Sequence, residues 1–245
     1  MRKSFRTLIG CLAASLAAPA AAQAGEWHIA PYAWLAGFDG TAGIAGAPGI
    51  GGRIDVDTGF GDIKQAGAMV NLGWRSGRVA AFGDWTYANA KTDAPTPFTT
   101  LYAGVDMKVR GNIVEANGGY DLIAAPGTSL DLYGGLRYYD LKIDLGLREG
   151  TLPGAVIGSS SDWVDGVVGV RWQTRFADRW EAYATADVGA GGSDLAWQLV
   201  GAVGYRYSWG TIFAGWRHLH VKYEKDSFKL DAALTGPLIG ASFRF

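Results

Sequence analysis

The chain has 245 residues and near-neutral charge, with 22 Lys and Arg against 23 Asp and Glu. No basic patch points to nucleic acid, and a single cysteine, Cys11, excludes a disulfide framework and a thiolate metal centre. Beyond the N-terminal segment no run approaches the roughly 18 apolar residues of a membrane-spanning helix, while 37 Gly, 10 Trp, 11 Tyr and 10 Phe mark an aromatic, glycine-rich β-protein.

The first element is a leader. Arg2, Lys3 and Arg6 precede an apolar run from Leu8 to about Ala18, and Ala22-Gln23-Ala24 supplies a small-residue cleavage site. This reads as a secretory signal peptide over residues 1–24, removed after Ala24, with one domain over 25–245. Leu8-Ile9-Gly10-Cys11 resembles a lipoprotein lipobox, but it leaves almost no apolar core before Cys11, and the apolar run continues past it. Without the leader's cations the count is 19 against 23, so the mature chain is mildly acidic and free of cysteine.

After the leader, period two dominates. Strands are expected at about 26–36, 63–75, 78–90, 105–122, 129–145, 161–176, 179–189, 197–207, 211–223 and 231–245. Many reach the roughly ten residues a tilted strand needs to cross a bilayer. Tight turns at Ser76-Gly77, Ala125-Pro126-Gly127, Ala177-Asp178 and Ser208-Trp209-Gly210 alternate with longer connections at 37–62, 91–104, 146–160, 190–196 and 224–230. Short periplasmic turns facing long external loops are the signature of an antiparallel transmembrane β-barrel, here of about ten strands, with eight as the alternative.

Side-chain alternation then assigns the faces. Asp84, Glu115, Arg137, Asp165, Arg171, Glu181, Asp187, Arg206 and Arg217 share one face by parity. An Arg or Lys turned to lipid at mid-membrane costs about 2–4 kcal/mol, so that face is expected to be the lumen, filled by an ion-pair network. Trp74, Tyr120, Trp180, Tyr207 and Phe245 are expected as interfacial anchors beside the short turns, with Tyr87, Tyr138, Trp197 and Tyr223 as a second belt near the long loops. Strands 105–122 and 129–145 are at odds with this: Lys108 and Arg110, and then Asp140, Lys142 and Asp144, fall on the lipid parity. Either this hairpin projects beyond the membrane or a bulge changes its phase.

Reactive groups are few. His28 reads as structural; His218 and His220 read as outward rim residues, with a base or metal role as the rival. Asp55-x-Asp57 with Asp62 lacks the spacing of a calcium loop. TAGIAGAPGIGG has no Lys-Ser/Thr and no following helix, so it reads as a flexible external loop rather than a phosphate cradle, closed by Gly59-Phe60-Gly61. No metal, cofactor or catalytic residue is assigned. The chain ends PLIGASFRF, a strand in which Pro237, Ile239, Ala241 and Phe243 face lipid and Gly240, Ser242 and Arg244 face the lumen.

Trp27, Pro31-Tyr32-x-Trp34, Gly37, Gly40, Gly215-Trp216-Arg217-x-Leu219, Gly236-Pro237-Leu238-x-Gly240 and Phe243-Arg244-Phe245 together resemble a family of small, mostly uncharacterised proteobacterial outer-membrane β-barrel proteins. The resemblance implies fold and outer-membrane location, and no reaction. The terminal Phe245 also looks like the C-terminal signal read by the bacterial barrel-assembly machinery. The expected function is therefore a non-enzymatic, monomeric outer-membrane barrel, structural or a narrow passage for small solutes, with membrane lipids as its surroundings. The alternative is a lipid- or peptide-modifying enzyme using His218 and His220.

Overall fold

The computed structural model describes residues 25–44, 53–58, 64–94, 102–123, 125–225 and 228–245. The expected leader, Asp62 and Gly59-Phe60-Gly61 lie outside these residues. Among the described residues no helix occurs, and the strands are β1 Glu26–Trp34, β2 Gly37–Ile44, β3 Arg53–Thr58, β4 Lys64–Ser76, β5 Val79–Ala94, β6 Tyr102–Asp121, β7 Thr128–Glu149, β8 Ala155–Phe176, β9 Trp180–Gly191, β10 Leu195–Arg206, β11 Thr211–Lys225 and β12 Phe228–Arg244.

β1 and β4 through β12 pair antiparallel in chain order, and β1 pairs β12 to close a ten-stranded barrel. The last residue forms the bottom of that seam. Phe245 and Trp27 exchange both backbone hydrogen bonds, at 2.9 and 3.0 Å. Closure removes the open edges that an antiparallel sheet would otherwise present to lipid.

The first long connection is partly ordered, contrary to its expected reading as a flexible loop. β2 continues β1 along β12 without a change of register, from Trp34–Leu238 to Gly37–Thr235, joined by Leu35 N–H to the Pro237 carbonyl at 2.9 Å. β2 and β3 then form a hairpin beside β12. β12 begins at Phe228, so its long-loop end has backbone groups beyond the reach of β1, and β2 satisfies them.

Every wall strand keeps the expected parity. Leu72, Trp85, Val114, Leu136, Val168, Val188, Leu199, Ile212 and Ile239 are exposed outward on successive strands from β4 to β12. A continuous apolar girdle of this kind suits acyl chains and not water. At the short-turn end lies a chain of rings: Trp27 against Trp74, Trp180 against Tyr205, Tyr205 against Tyr207, Tyr207 stacked on Trp209, and Trp209 against Phe243, with centroids 5.0–6.4 Å apart. Arg78 lies 5.3 Å over Tyr120, and Phe245 is exposed. The rings cluster where amphipathic aromatics are favoured, at an interface.

The hairpin of β6 and β7 has no phase change. Its register runs unbroken from Gly104–Arg148 to Asp121–Asp131, and the one irregularity lies above it, at Tyr102. β7 and β8 are 22 residues each, about twice what a membrane crossing needs. β8 pairs β9 only from Asp165 to Phe176, so its first ten residues stand beyond the wall. In that projecting part the charges point out and pair with each other, Arg110 with Asp144 at 3.0 Å, while Ile143, Leu145 and Leu147 point in and are buried.

Those inward residues belong to an apolar plug in the long-loop half of the lumen. Tyr139, Trp163 and Tyr223 stack across the barrel, with centroids 4.8 and 4.1 Å apart, in one buried cluster with Trp34, Met69, Ile113 and Leu219. Ser161 and Tyr223 share a hydroxyl hydrogen bond of 2.8 Å over the mouth. Tyr223 is therefore corrected from the outer belt to the plug: it has the same parity as Arg217 on β11, and that face is the lumen.

Candidate functional site in the lumen and on the rim

Below the plug, five of the expected lumen charges meet at mid-height. Arg137 is fully buried and donates through Nε to Glu115 Oε1 and through Nη2 to Asp187 Oδ1, both at 2.8 Å. Asp187 also accepts from Tyr133 at 2.9 Å and Gln198 at 3.2 Å. Arg217 donates to Gln198 at 2.9 Å and to the Tyr32 hydroxyl at 2.7 Å, reaches Asp84 at 3.4 Å, and lies 3.6 Å from Glu115. The Tyr32 and Thr86 hydroxyls donate to Asp84 at 2.9 and 3.1 Å. The layer draws on β1, β5, β6, β7, β9, β10 and β11, so it braces the cylinder from wall to wall.

The sequence makes room for it with small residues. A Cβ on Gly169 would fall 2.6 Å from Asp187 Cβ and 2.7 Å from the Tyr133 ring, so glycine allows Tyr133 to reach Asp187. A Cβ on Gly240 would fall 2.6 Å from both Tyr32 Cβ and the Phe213 ring. The small residues of the final strand thus seat the first strand's Tyr32 beneath Arg217.

The other expected charges do not join the central layer. Arg171 donates to Asp131 at 2.9 Å, which also accepts from Arg75 at 2.5 Å, and Arg75 lies 3.7 Å from Asp121. Arg171 packs 3.8 Å over Phe82. Glu181 pairs with Arg244 at 2.7 Å near the termini. Asp165 accepts from the Ser193 amide at 2.8 Å and hydroxyl at 2.5 Å, tying down the β9–β10 connection. Arg206 donates to the Asp178 carbonyl at 2.8 Å at the short-turn rim. Asp121, Asp131 and Arg75 stand outside the expected set, although the parity that selects Glu115 and Arg137 selects Asp121 and Asp131 as well; Arg244 is expected on the lumen face but not in the ion-pair set.

Beneath the central layer the lumen is hollow. A cavity of about 210 Å3 runs from Asp84, Glu115 and Arg217 down to Gly127 and Arg175, which are exposed at the short-turn end. It is a vestibule, ceilinged by ion pairs and open toward the termini.

His218 and His220 are on the outer wall, as parity requires, whereas His28 lines the luminal cavity with Nε2 3.0 Å from Asn71 Oδ1. Thr235 lies beside His218, its hydroxyl 2.6 Å from Nδ1, and His220 Nε2 lies 3.1 Å from Asp231 Oδ1. Trp197 stacks on His218 with centroids 4.5 Å apart. An apolar groove lined by Trp172, Ala186, Leu199 and Trp216 runs beside His218. Nucleophilic catalysis needs hydroxyl, base and orienting group in one chain of contacts; here the hydroxyl serves one histidine and the carboxylate the other. Among the described residues no three His, Cys, Asp or Glu side chains are placed to share a metal ion.

No protein-family profile and no curated protein matches the chain. Among solved structures it is similar to the outer membrane protease OmpT from Escherichia coli, with a TM-score of 0.60 and 11% identity, covering 90% of this chain and 96% of that one. It is also similar to a major outer membrane protein from Thermus thermophilus, at TM-score 0.46 and 14% identity over 91% and 100% of the two chains. Ail, the attachment invasion locus protein of Yersinia pestis, gives 0.39 and 13% over 90% and 99%. The likeness to OmpT establishes the barrel fold and nothing of its chemistry.

Proposed function

We propose that this chain is an integral outer-membrane protein with a closed lumen, acting as a structural barrel and not as a solute passage or an enzyme. The observation that carries the reading is the stacked Tyr139–Trp163–Tyr223 layer, set above the braced Arg137 and Arg217. A solute would have to displace both a buried aromatic layer and ion-paired guanidinium groups. The outward apolar girdle and the ring chain at the short-turn end support a bilayer as the surroundings. The seam between Phe245 and Trp27 supports a role for the terminal residue in the last step of closure, where an assembly factor would read it.

Reconstitution into planar bilayers tests the reading. The expected result is no unitary conductance in the purified barrel; steady, reproducible single-channel steps would overturn it. Deleting Phe245 should lower the amount of heat-modifiable protein in outer membranes; an unchanged amount would remove the assembly role.

A second reading draws on the His218–Thr235 contact beside the outer groove, which supports acyl-transfer chemistry on a membrane lipid. In this reading His218 is the base, Thr235 the nucleophile, and the groove holds the acyl chain. Mass spectrometry of lipids from cells expressing wild type and His218→Gln decides it: a lost acyl chain that depends on His218 favours the enzyme, and identical lipids remove it.

A further inference from the structure

The vestibule carries more polar capacity than the barrel itself uses. Asp84 and Glu115 lie directly opposite each other across β5 and β6, an arrangement of like charges that is unfavourable unless cations sit between them. With Asp187 they make three carboxylates, against the two guanidiniums of Arg137 and Arg217. Glu115 receives its guanidinium contacts through Oε1 and, among the described residues, makes no hydrogen bond through Oε2. Two residues along the same face, Asn117 is 8% exposed, lines the cavity, and has no hydrogen-bond partner for its Oδ1. A buried acceptor without a donor is costly. Asn117 Oδ1 is such an acceptor, two residues along the same face from ion-paired Glu115, whose carboxylate also lines the closed end of a cavity that opens to water. Below them the wall is aromatic, with Phe82, Tyr133, Tyr183 and Phe213, a surface that favours both an apolar body and a cationic head.

From this juxtaposition we infer that the vestibule is a blind binding pocket for a small amphipathic ammonium compound entering from the short-turn end. Its ammonium group donates to Glu115 Oε2 and Asn117 Oδ1 and balances the carboxylate excess, and its apolar body packs on the rings beneath. An ammonium fits better than an anion, which would meet the excess negative charge, and better than a neutral apolar molecule, which would leave Asn117 Oδ1 unpaired. The pocket is blind only if the lumen is closed above it, so the inference rests on the closed-barrel reading. The conductance measurement reads that closure separately from binding.

Isothermal titration of the folded barrel in detergent micelles tests it, with benzylammonium, benzyl alcohol and benzoate as probes. Benzylammonium should bind saturably at one site, benzyl alcohol about tenfold or more weaker, the scale of one lost charged hydrogen bond, and benzoate not at all. Glu115→Gln should weaken benzylammonium by about tenfold or more on the same ground. Ala202→Phe, which fills the cavity and leaves the ion pairs intact, should abolish it. Heat-modifiable gel migration reports whether each variant is folded; if Glu115→Gln does not fold, the probe comparison on the wild type and the Ala202→Phe variant carry the test. Equal affinity for benzyl alcohol and benzylammonium, no saturable benzylammonium binding, or binding that survives Ala202→Phe would each overturn the inference.

Discussion

The two halves of the barrel obey one parity and reach opposite solutions. In the half that crosses the bilayer, the outside is apolar and the lumen holds Arg137, Glu115, Asp187 and Arg217. In the projecting half, the same alternation along β7 turns Asp140, Lys142 and Asp144 outward and buries Ile143, Leu145 and Leu147. The strand does not change phase; its surroundings change from lipid to water. Beyond the membrane β6, β7 and β8 behave as a soluble sheet with an apolar inner face, and that inner face becomes the plug. The contrast teaches that the stacked aromatic layer belongs to the projecting half of the barrel, while the half inside the bilayer is braced by charge.

Four sets of substitutions probe the contrast, each read by denaturant unfolding in lipid vesicles. Arg137→Ala strips the counter-charge from buried Glu115 and Asp187 and should cost about 3–5 kcal/mol, because breaking a buried pair leaves an uncompensated charge. A loss below about 1 kcal/mol would mean that water enters the central layer freely. Trp163→Ala in the plug should cost about 3 kcal/mol, the low end for removing a buried aromatic, because the site lies beside the loops. Combined with Tyr139→Ala and Tyr223→Ala it should raise bilayer conductance; a triple variant as silent as the wild type would place the seal in the ion-pair layer alone. Leu136→Arg, on the outer face of the bilayer half, should cost about 2 kcal/mol, whereas Asp140→Arg, further along the same face, should change stability by less than about 0.5 kcal/mol. Equal costs would erase the boundary drawn between those positions. The smallest effect belongs to Arg110→Ala: its pair with Asp144 faces water, so the loss should stay below about 0.5 kcal/mol and shrink further in high salt.

Much of the wall was legible because a barrel strand has only two faces. Asp84, Arg137, Asp187 and Arg217 could be assigned to the lumen from parity and the lipid penalty alone. The terminal strand could be read in the same way, down to the small residues that seat Tyr32. The apparent phase change at Lys108 and Arg110 could not be resolved from sequence, since a projecting hairpin and a bulge give the same pattern. Tyr223 was misplaced because its nearness to a long connection outweighed its parity. The β2–β3 hairpin was hidden because β2 is interrupted by Gly37, Gly40 and Gly43 and β3 is only six residues long, and β2 gains its pairing from the free edge that β12 offers.

Sequence by itself determined the antiparallel barrel, the two faces and the positions of the short turns, because alternation and turn chemistry are local; closure between β1 and β12 decided ten strands against eight. Tertiary structure decided which charge meets which. Arg137 and Asp187 are 50 residues apart, and Arg217 and Tyr32 are 185 apart; their meeting depends on the curvature and closure of the whole sheet. Closure also decided that the lumen is an apolar plug over a braced layer over an open vestibule, because height along the axis depends on how far each strand projects, which no single strand encodes.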